Sequence, residues 1–267
     1  MSPIFDTHAH YDDDAFDEDR EQLLNQLPAE GIARVVNVGA SLDSCRKTME
    51  LTEKYDYIYS AIGVHPSETA ELNEENFKWL REACGHPKCV AVGEIGLDYY
   101  WEEPSPSVQK EWFLQQLDLA RELSLPVVIH SRDAAKDTID LLKMAKAEEI
   151  GGVIHCYSYT KESAKIFYNM GFYFGIGGVL TFKNSKKLKE AVNDIPMERI
   201  VLETDCPYLA SVPFRGKRNC SLYIPYVIAA LAEIKGISED EVRRFAWENA
   251  HKMYRMDSYG IYKYSVI

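Results

Sequence analysis

Residues 4–19 read Ile4-Phe5-Asp6-Thr7-His8-Ala9-His10 and then Tyr11-Asp12-Asp13-Asp14-Ala15-Phe16-Asp17-Glu18-Asp19, "IFDTHAHYDDDAFDED". The opening suits a buried first strand. Residues 11–19 hold no glycine fingerprint of the kind a nucleotide-binding first turn needs. An open doubly wound sheet is thereby disfavoured against a closed barrel. If the stretch is extended, side chains two apart share a side, and His8 and His10 converge on one point. Alone, such a pair is more often two solvated imidazoles at a strand end, so the rest of the chain must decide.

Outward from this stretch, short apolar runs alternate with amphipathic ones. The runs are "PIFDTHA" (3–9), "IARVVNVG" (32–39), "YIYSAIGVH" (57–65), "CVAVGEIGL" (89–97), "LPVVIHS" (125–131), "GGVIHC" (151–156), "FYFGIGG" (172–178) and "RIVLETD" (199–205). Rich in Val and Ile and too short for ordinary helices, they read as eight buried parallel strands. Segments of helical period lie between or after them, such as Asp17 to Glu30, Leu42 to Lys54, Glu74 to Ala83, Ser107 to Leu123, Ala134 to Lys146, Leu222 to Lys235 and Ser238 to Tyr254. The last opens with Ser238 and Glu241, a capping box. Eight alternations in 267 residues predict an α/β fold, a (β/α)8 TIM barrel, as a single domain over 1–267.

No apolar run approaches the ~20 residues of a membrane span, and no basic or long apolar leader precedes Asp6. A cytoplasmic protein without a signal peptide or membrane partner is expected, as a monomer. Six scattered cysteines, with no C-x-x-C pair, suit reduced thiols. A net charge of -12 excludes a surface that grips nucleic acid broadly. Any polyanionic substrate needs a local basic patch or bound cations.

In a barrel of this kind the reacting groups sit where strands end and βα loops begin. His8 and His10 fall at the end of the first strand, His65 at the third, Glu94 at the fourth, His130 at the fifth, His155 at the sixth, and Glu203 and Asp205 at the eighth. Of seven histidines only His86 and His251 lie elsewhere, so the pattern is not a set of isolated core histidines. Buried unpaired, such groups cost several kcal/mol each (~2–7), and a bound cation turns that cost into attraction. Four imidazoles and two carboxylates exceed one tetrahedral site. Two ions accommodate them, with His8, His10 and Asp205 on one, His130 and His155 on the other, and Glu94 bridging. Nitrogen-rich ligation favours zinc, and the carboxylates admit manganese or magnesium.

Together "FDTHAH", "GVHP", "GEIGLDYY", "VIHSRDA", "IHCYS", "GIGG" and "LETDCPYLASVPFRGKRN" stand in this order over nearly the whole length, and the chain resembles the TatD family of metal-dependent deoxyribonucleases within the amidohydrolase superfamily. The resemblance implies a (β/α)8 barrel, a one- or two-metal site on His8, His10, Glu94, His130, His155 and Asp205, and hydrolysis of DNA phosphodiesters. The chain departs from the family at Cys220 and Ser221, where a glutamate and a proline are common, and at Cys156-Tyr157-Ser158-Tyr159, where Cys-Phe-Ser-Gly is usual. Both departures bear on the shape of the substrate groove.

The expected chemistry is attack on phosphorus by a metal-activated hydroxide. Asp205 both ligates and handles the proton. Glu203, two residues earlier on the same strand, shares its facing, either in catalysis or in orienting a ligand histidine. His65 contacts a phosphate or leaving oxygen. In "PFRGKRN", residues 213–219, the cations Arg215, Lys217 and Arg218 with Asn219 form an expected dock for the substrate backbone; the alternative is a loop whose charges pair with nearby acids. Tyr99, Tyr100 and Trp101 either stack on bases, as those of a single strand, or anchor their loop. The rival functions are hydrolysis of a small amide, lactone or phosphoester by the same site, and a non-catalytic metal-binding barrel.

Overall fold

A computed structural model describes residues 2–256. The expected domain span of 1–267 takes in Met1 and residues 257–267, which lie outside the described residues. Eight parallel strands stand side by side in chain order: β1 (Ile4–Ala9), β2 (Ile32–Val38), β3 (Ile58–Ile62), β4 (Cys89–Asp98), β5 (Val127–Arg132), β6 (Gly152–Ile154), β7 (Tyr173–Ile176) and β8 (Ile200–Leu202). Each is centred on one of the eight apolar runs. The helices are α1 (Arg20–Gln26), α2 (Leu42–Lys54), α3 (Glu74–Cys84), α4 (Pro106–Glu122), α5 (Ala135–Met144), α6 (Lys161–Asn169), α7 (Lys186–Asp194), α8 (Ile224–Lys235) and α9 (Glu239–Met253).

The helices obey local rules. Ser238 caps α9: its Oγ accepts the Glu241 N–H at 3.2 Å, and the Ser238 N–H donates to Glu241 Oε2 at 2.9 Å. Short α7, lysine-rich in sequence, is held by Leu188, Ala191 and Val192, buried at helical spacing. No single helix among the described residues is long and apolar enough to cross a membrane.

One large apolar cluster lies between strands and helices. A smaller one takes residues from seven of the eight strands, among them Phe5, Val36, Tyr59, Val90, Val128, Val153 and Val201, and fills the ring. Each such buried valine stabilises the fold by about 1.5–3 kcal/mol.

The ring closes differently at its last joint. Among the described residues β1 and β8 form no ladder, and the segment after β8 meets β1 at one bridge, Ala9 with Cys206. The His10 N–H donates to the Cys206 carbonyl at 2.8 Å and the Asp205 N–H to the His8 carbonyl at 2.9 Å. Buried Asp6 fills the rest of the joint. Its carboxylate accepts from the Thr204 N–H at 3.0 Å, Thr204 Oγ1 at 2.7 Å and Ser221 Oγ at 2.6 Å. Ser221 is therefore part of the joint. From α9, Asn249 Nδ2 donates to the Ile200 carbonyl at 2.8 Å, and the hydroxyl of Tyr254, just past it, donates to the Thr7 carbonyl at 2.7 Å.

Candidate metal centre

At the carboxyl ends of the strands, His8 and His10 do converge: their Nε2 atoms lie 3.0 Å apart. His10 Nδ1 donates to the Val38 carbonyl at 2.8 Å, which leaves its Nε2 as the free lone pair. Two nitrogens sharing a tetrahedral zinc stand about 3.3 Å apart. Asp205 Oδ1 is 3.6 Å from His8 Nε2 and 3.4 Å from His10 Nε2, and Glu94 Oε2 is 3.5 and 3.7 Å from the same two atoms.

The other oxygen of Glu94 faces the second half of the site. Glu94 Oε1 lies 2.8 Å from His130 Nδ1 and 2.7 Å from His155 Nε2. Glu94 thus belongs to two groups able to hold a cation, one with His8 and His10 and one with His130 and His155. A carboxylate 3 % exposed among imidazoles suits cation binding, which offsets the cost of its burial. The centre is therefore well suited to one or two divalent ions.

Titration follows from these contacts. Burial opposes charge on Glu94, but the imidazoles of His155, His130 and His8 outweigh it and hold the carboxyl well below its ordinary range. Burial also opposes a proton on His10, yet Asp205 and Glu94 lift it to about 10. His155 is lifted to about 9 against burial by Glu94. His8 falls to about 4 through burial and the His155 charge. In the metal-free protein, protons on His10 and His155 therefore occupy the place of cations.

His65 is different. Its Nδ1 accepts the Ser67 N–H at 3.2 Å, so a neutral ring carries its proton on Nε2, which lies 4.0 Å from Glu94 Oε1. Burial and the His130 charge lower it to about 3, which keeps the ring neutral. His65 consequently presents a hydrogen-bond donor to the cavity.

Glu203 sits behind the ligands. β8 ends at Leu202, and Asp205 adopts a left-handed φ of 57°, so the shared facing expected of one continuous strand is not what orients the pair. Glu203 Oε1 accepts the Cys156 N–H at 2.6 Å and lies 3.8 Å from His155 Nδ1. Burial pushes its carboxyl up to about 8. Gly175 makes room for it, because a Cβ there would stand 2.0 Å from Glu203 Oε2.

Strand periodicity points to further residues that the expected ligand set omits. Asp98 follows Glu94 by two pleats on β4, and its Oδ2 lies 3.0 Å from His130 Nε2, fixing that ring from behind. Burial opposes the Asp98 charge, but bonds from His130 and the Tyr100 N–H hold its carboxyl below the ordinary value. Arg132 follows His130 by one pleat and lines the cavity; Asp12, in the turn past β1, lines it too, its carboxylate bonded by Asn37 at 2.8 Å and Ser44 at 2.6 Å.

A model of the TatD-related DNase family matches residues 5–255. The chain belongs to that family. It is 43% identical over 254 residues to an uncharacterized metal-dependent hydrolase, YabD, of Bacillus subtilis, covering 95% of this chain and all of that one. It is 33% identical to the 3'-5' ssDNA/RNA exonuclease TatD of Cronobacter sakazakii, over 87% of this chain and 90% of that one. The crystal structure of YjjV, a TatD homologue from Escherichia coli K12, superposes with a TM-score of 0.89 at 28% identity, covering 95% of this chain and 98% of that one. TatD-family enzymes are metal-dependent hydrolases, and the barrel and clustered ligand types here are of that kind.

Within this TatD-family barrel, the basic loop divides between the two readings its sequence allowed. Arg218 forms a two-pronged pair with Asp19, at 2.7 and 2.6 Å, and lies 4.7 Å over the Phe16 ring. Asn219 is buried, its Nδ2 donating to the Thr204 and Tyr208 carbonyls at 2.8 Å, so it braces the loop. Arg215 and Lys217 are exposed; Arg215 packs 4.3 Å over Phe182, and neither lines the cavity. Charge pairing occupies Arg218 and bracing occupies Asn219, while Arg215 and Lys217 stay exposed. The cavity itself is about 800 Å³, and the cation on its wall is Arg132.

Proposed function

We propose that this enzyme hydrolyses DNA phosphodiester bonds at a free single-stranded end, with one or two divalent ions held by His8, His10, Glu94, His130, His155 and Asp205. The observation that carries the reading is Glu94, a buried carboxylate touching four imidazoles across two adjoining ligand groups beside Asp205. The exonuclease name of the Cronobacter relative supports the substrate and the end preference. Nitrogen-rich ligation favours zinc, with manganese or magnesium the alternatives. The protein acts as a cytoplasmic monomer in this reading.

Divalent ions at these residues would polarise the phosphoryl group and acidify water. The chain supplies the rest. Arg132 pairs with a phosphate oxygen. His65, neutral with its proton on Nε2, donates a hydrogen bond to a phosphoryl or leaving oxygen. Asp205 accepts the proton released at the attacking water. Asp98 holds His130, and Glu203, itself bonded by the Cys156 N–H, sets its carboxyl 3.8 Å from the far nitrogen of His155.

The test is a panel of plasmid, single-stranded oligonucleotide and p-nitrophenyl esters, run with measured metal content. Glu94→Ala and Asp205→Ala should each lower turnover at least about a hundredfold and lower bound metal. Oligonucleotide cleavage near the wild-type rate in either variant removes the metal-centre reading. Hydrolysis of esters without cleavage of nucleic acid assigns the site to a small phosphoester instead.

A further inference from the structure

The loop after β4 carries three aromatic residues that part ways. Tyr99 is an anchor, its hydroxyl donating to Asp137 Oδ2 at 2.8 Å. Tyr100 and Trp101 remain 56 % and 54 % exposed, packed edge to face with ring centroids 4.9 Å apart. The Arg132 guanidinium lies 3.7 Å over the Tyr100 ring. Trp101 and Arg132 both line the cavity that holds His130 and Asp205. Across the mouth, four strands round the ring, Tyr208 also lines it, 54 % exposed, with its hydroxyl donating to Asp13 Oδ2 at 2.7 Å.

Of eight large apolar side chains left exposed among the described residues, four stand at this mouth: Tyr100, Trp101, Tyr208 and Leu209. Scattered exposed apolar groups are ordinary, but a concentration at a polar cavity marks a binding surface. Beneath these aromatic faces the cavity carries four histidines and five carboxylates, with serines and small apolar side chains between them. A flat π face beside a cation and a metal centre matches a nucleobase joined to its phosphate.

We infer that Trp101 is a stacking platform for an unpaired base next to the scissile phosphate, with Tyr100 held behind it by Arg132. This rests on the nucleic-acid reading above and deepens it by supplying the source of strand preference. A stacking face accepts any base but needs it free of its neighbours, and the interior of a duplex offers no free face. Arg132, fixed on Tyr100, brings its charge to the adjoining phosphate.

The experiment uses the metal-loaded protein with a single-stranded oligonucleotide, a duplex of the same sequence, and a phosphorothioate oligonucleotide that resists cleavage. Trp101→Ala should raise KM for the single strand about tenfold, the effect of losing one base–aromatic stack, and shrink the preference over duplex. Trp101→Phe should recover most of the loss. The phosphorothioate strand should quench tryptophan fluorescence in the wild type, and Trp101→Phe should abolish that quench, because Trp79, Trp112 and Trp247 are more buried. Tyr168→Ala, an exposed aromatic on α6 outside the cavity, is the control and should change none of these. An unchanged KM in Trp101→Ala, with the wild type cleaving DNA, overturns the platform alone. A wild type that hydrolyses p-nitrophenyl esters but neither cleaves nor is quenched by the oligonucleotide overturns the nucleic-acid reading and the platform with it.

Discussion

His10 donates through Nδ1 to Val38, so a proton or a metal ion must compete for its Nε2. The ring holds its proton up to about pH 10 in the metal-free protein, and ligation displaces it. Metal affinity should therefore rise with pH through the neutral range, and calorimetric titration of apoprotein in buffers of different ionisation enthalpy should register proton release. Glu203 gives a stability effect of defined sign. Its carboxyl titrates at about 8 when folded against an ordinary 4.5, so the folded state keeps a proton that the unfolded chain loses. That contribution is full below about pH 4.5 and is lost as pH rises through about 8. Glu203→Gln, which mimics the protonated group, should flatten the fall in apoprotein Tm between pH 5 and 8. Arg218 yields a third expectation: because Asp19 holds it, Arg218→Gln should leave oligonucleotide KM within about twofold of wild type.

At the scale of the strand, β4 and β5 fit together at a glycine. Gly96 has φ 145°, and a Cβ there would stand 1.9 Å from the His130 carbonyl oxygen, a backbone atom that cannot swing aside. Gly96→Ala should cost about 3 kcal/mol or more and lower Tm by about 6–10 °C, read by circular dichroism. Much at this scale is legible in the sequence. Apolar runs announce all eight strands, and imidazoles at their ends announce the polar centre, because a buried parallel strand admits polar groups almost nowhere else. Asp98 and Arg132 are also within reach, each lying on the parity of a named histidine or glutamate. The basic loop is not. Whether Arg218 faces substrate or Asp19 depends on how the β8 loop meets the β1 loop, 199 residues apart in sequence, and no local pattern encodes that meeting. Nor does a two-residue spacing reveal that β8 stops at Leu202 and that Asp205 turns left-handed.

At the scale of the molecule, bound ions act on folding. A cation that binds only the folded barrel adds about 2.7 kcal/mol at a hundredfold excess over Kd. Chelation should therefore lower Tm by about 5–10 °C, and Glu94→Gln should abolish the difference between loaded and stripped protein. The weight of this effect falls on the β1–β8 joint, where one bridge and the Asp6 carboxylate stand in for a ladder. The order of synthesis gives that joint another meaning. His8 and His10 leave a ribosome well before Asp205, and α9 follows later still. Chains are made from the N-terminus at about 5–20 residues per second, so the first pair waits on the order of ten seconds or more for its partner. A nascent chain that has not yet delivered Asp205 thus carries two imidazoles without their carboxylate partner, and hydrolytic competence waits on the residues that follow β8.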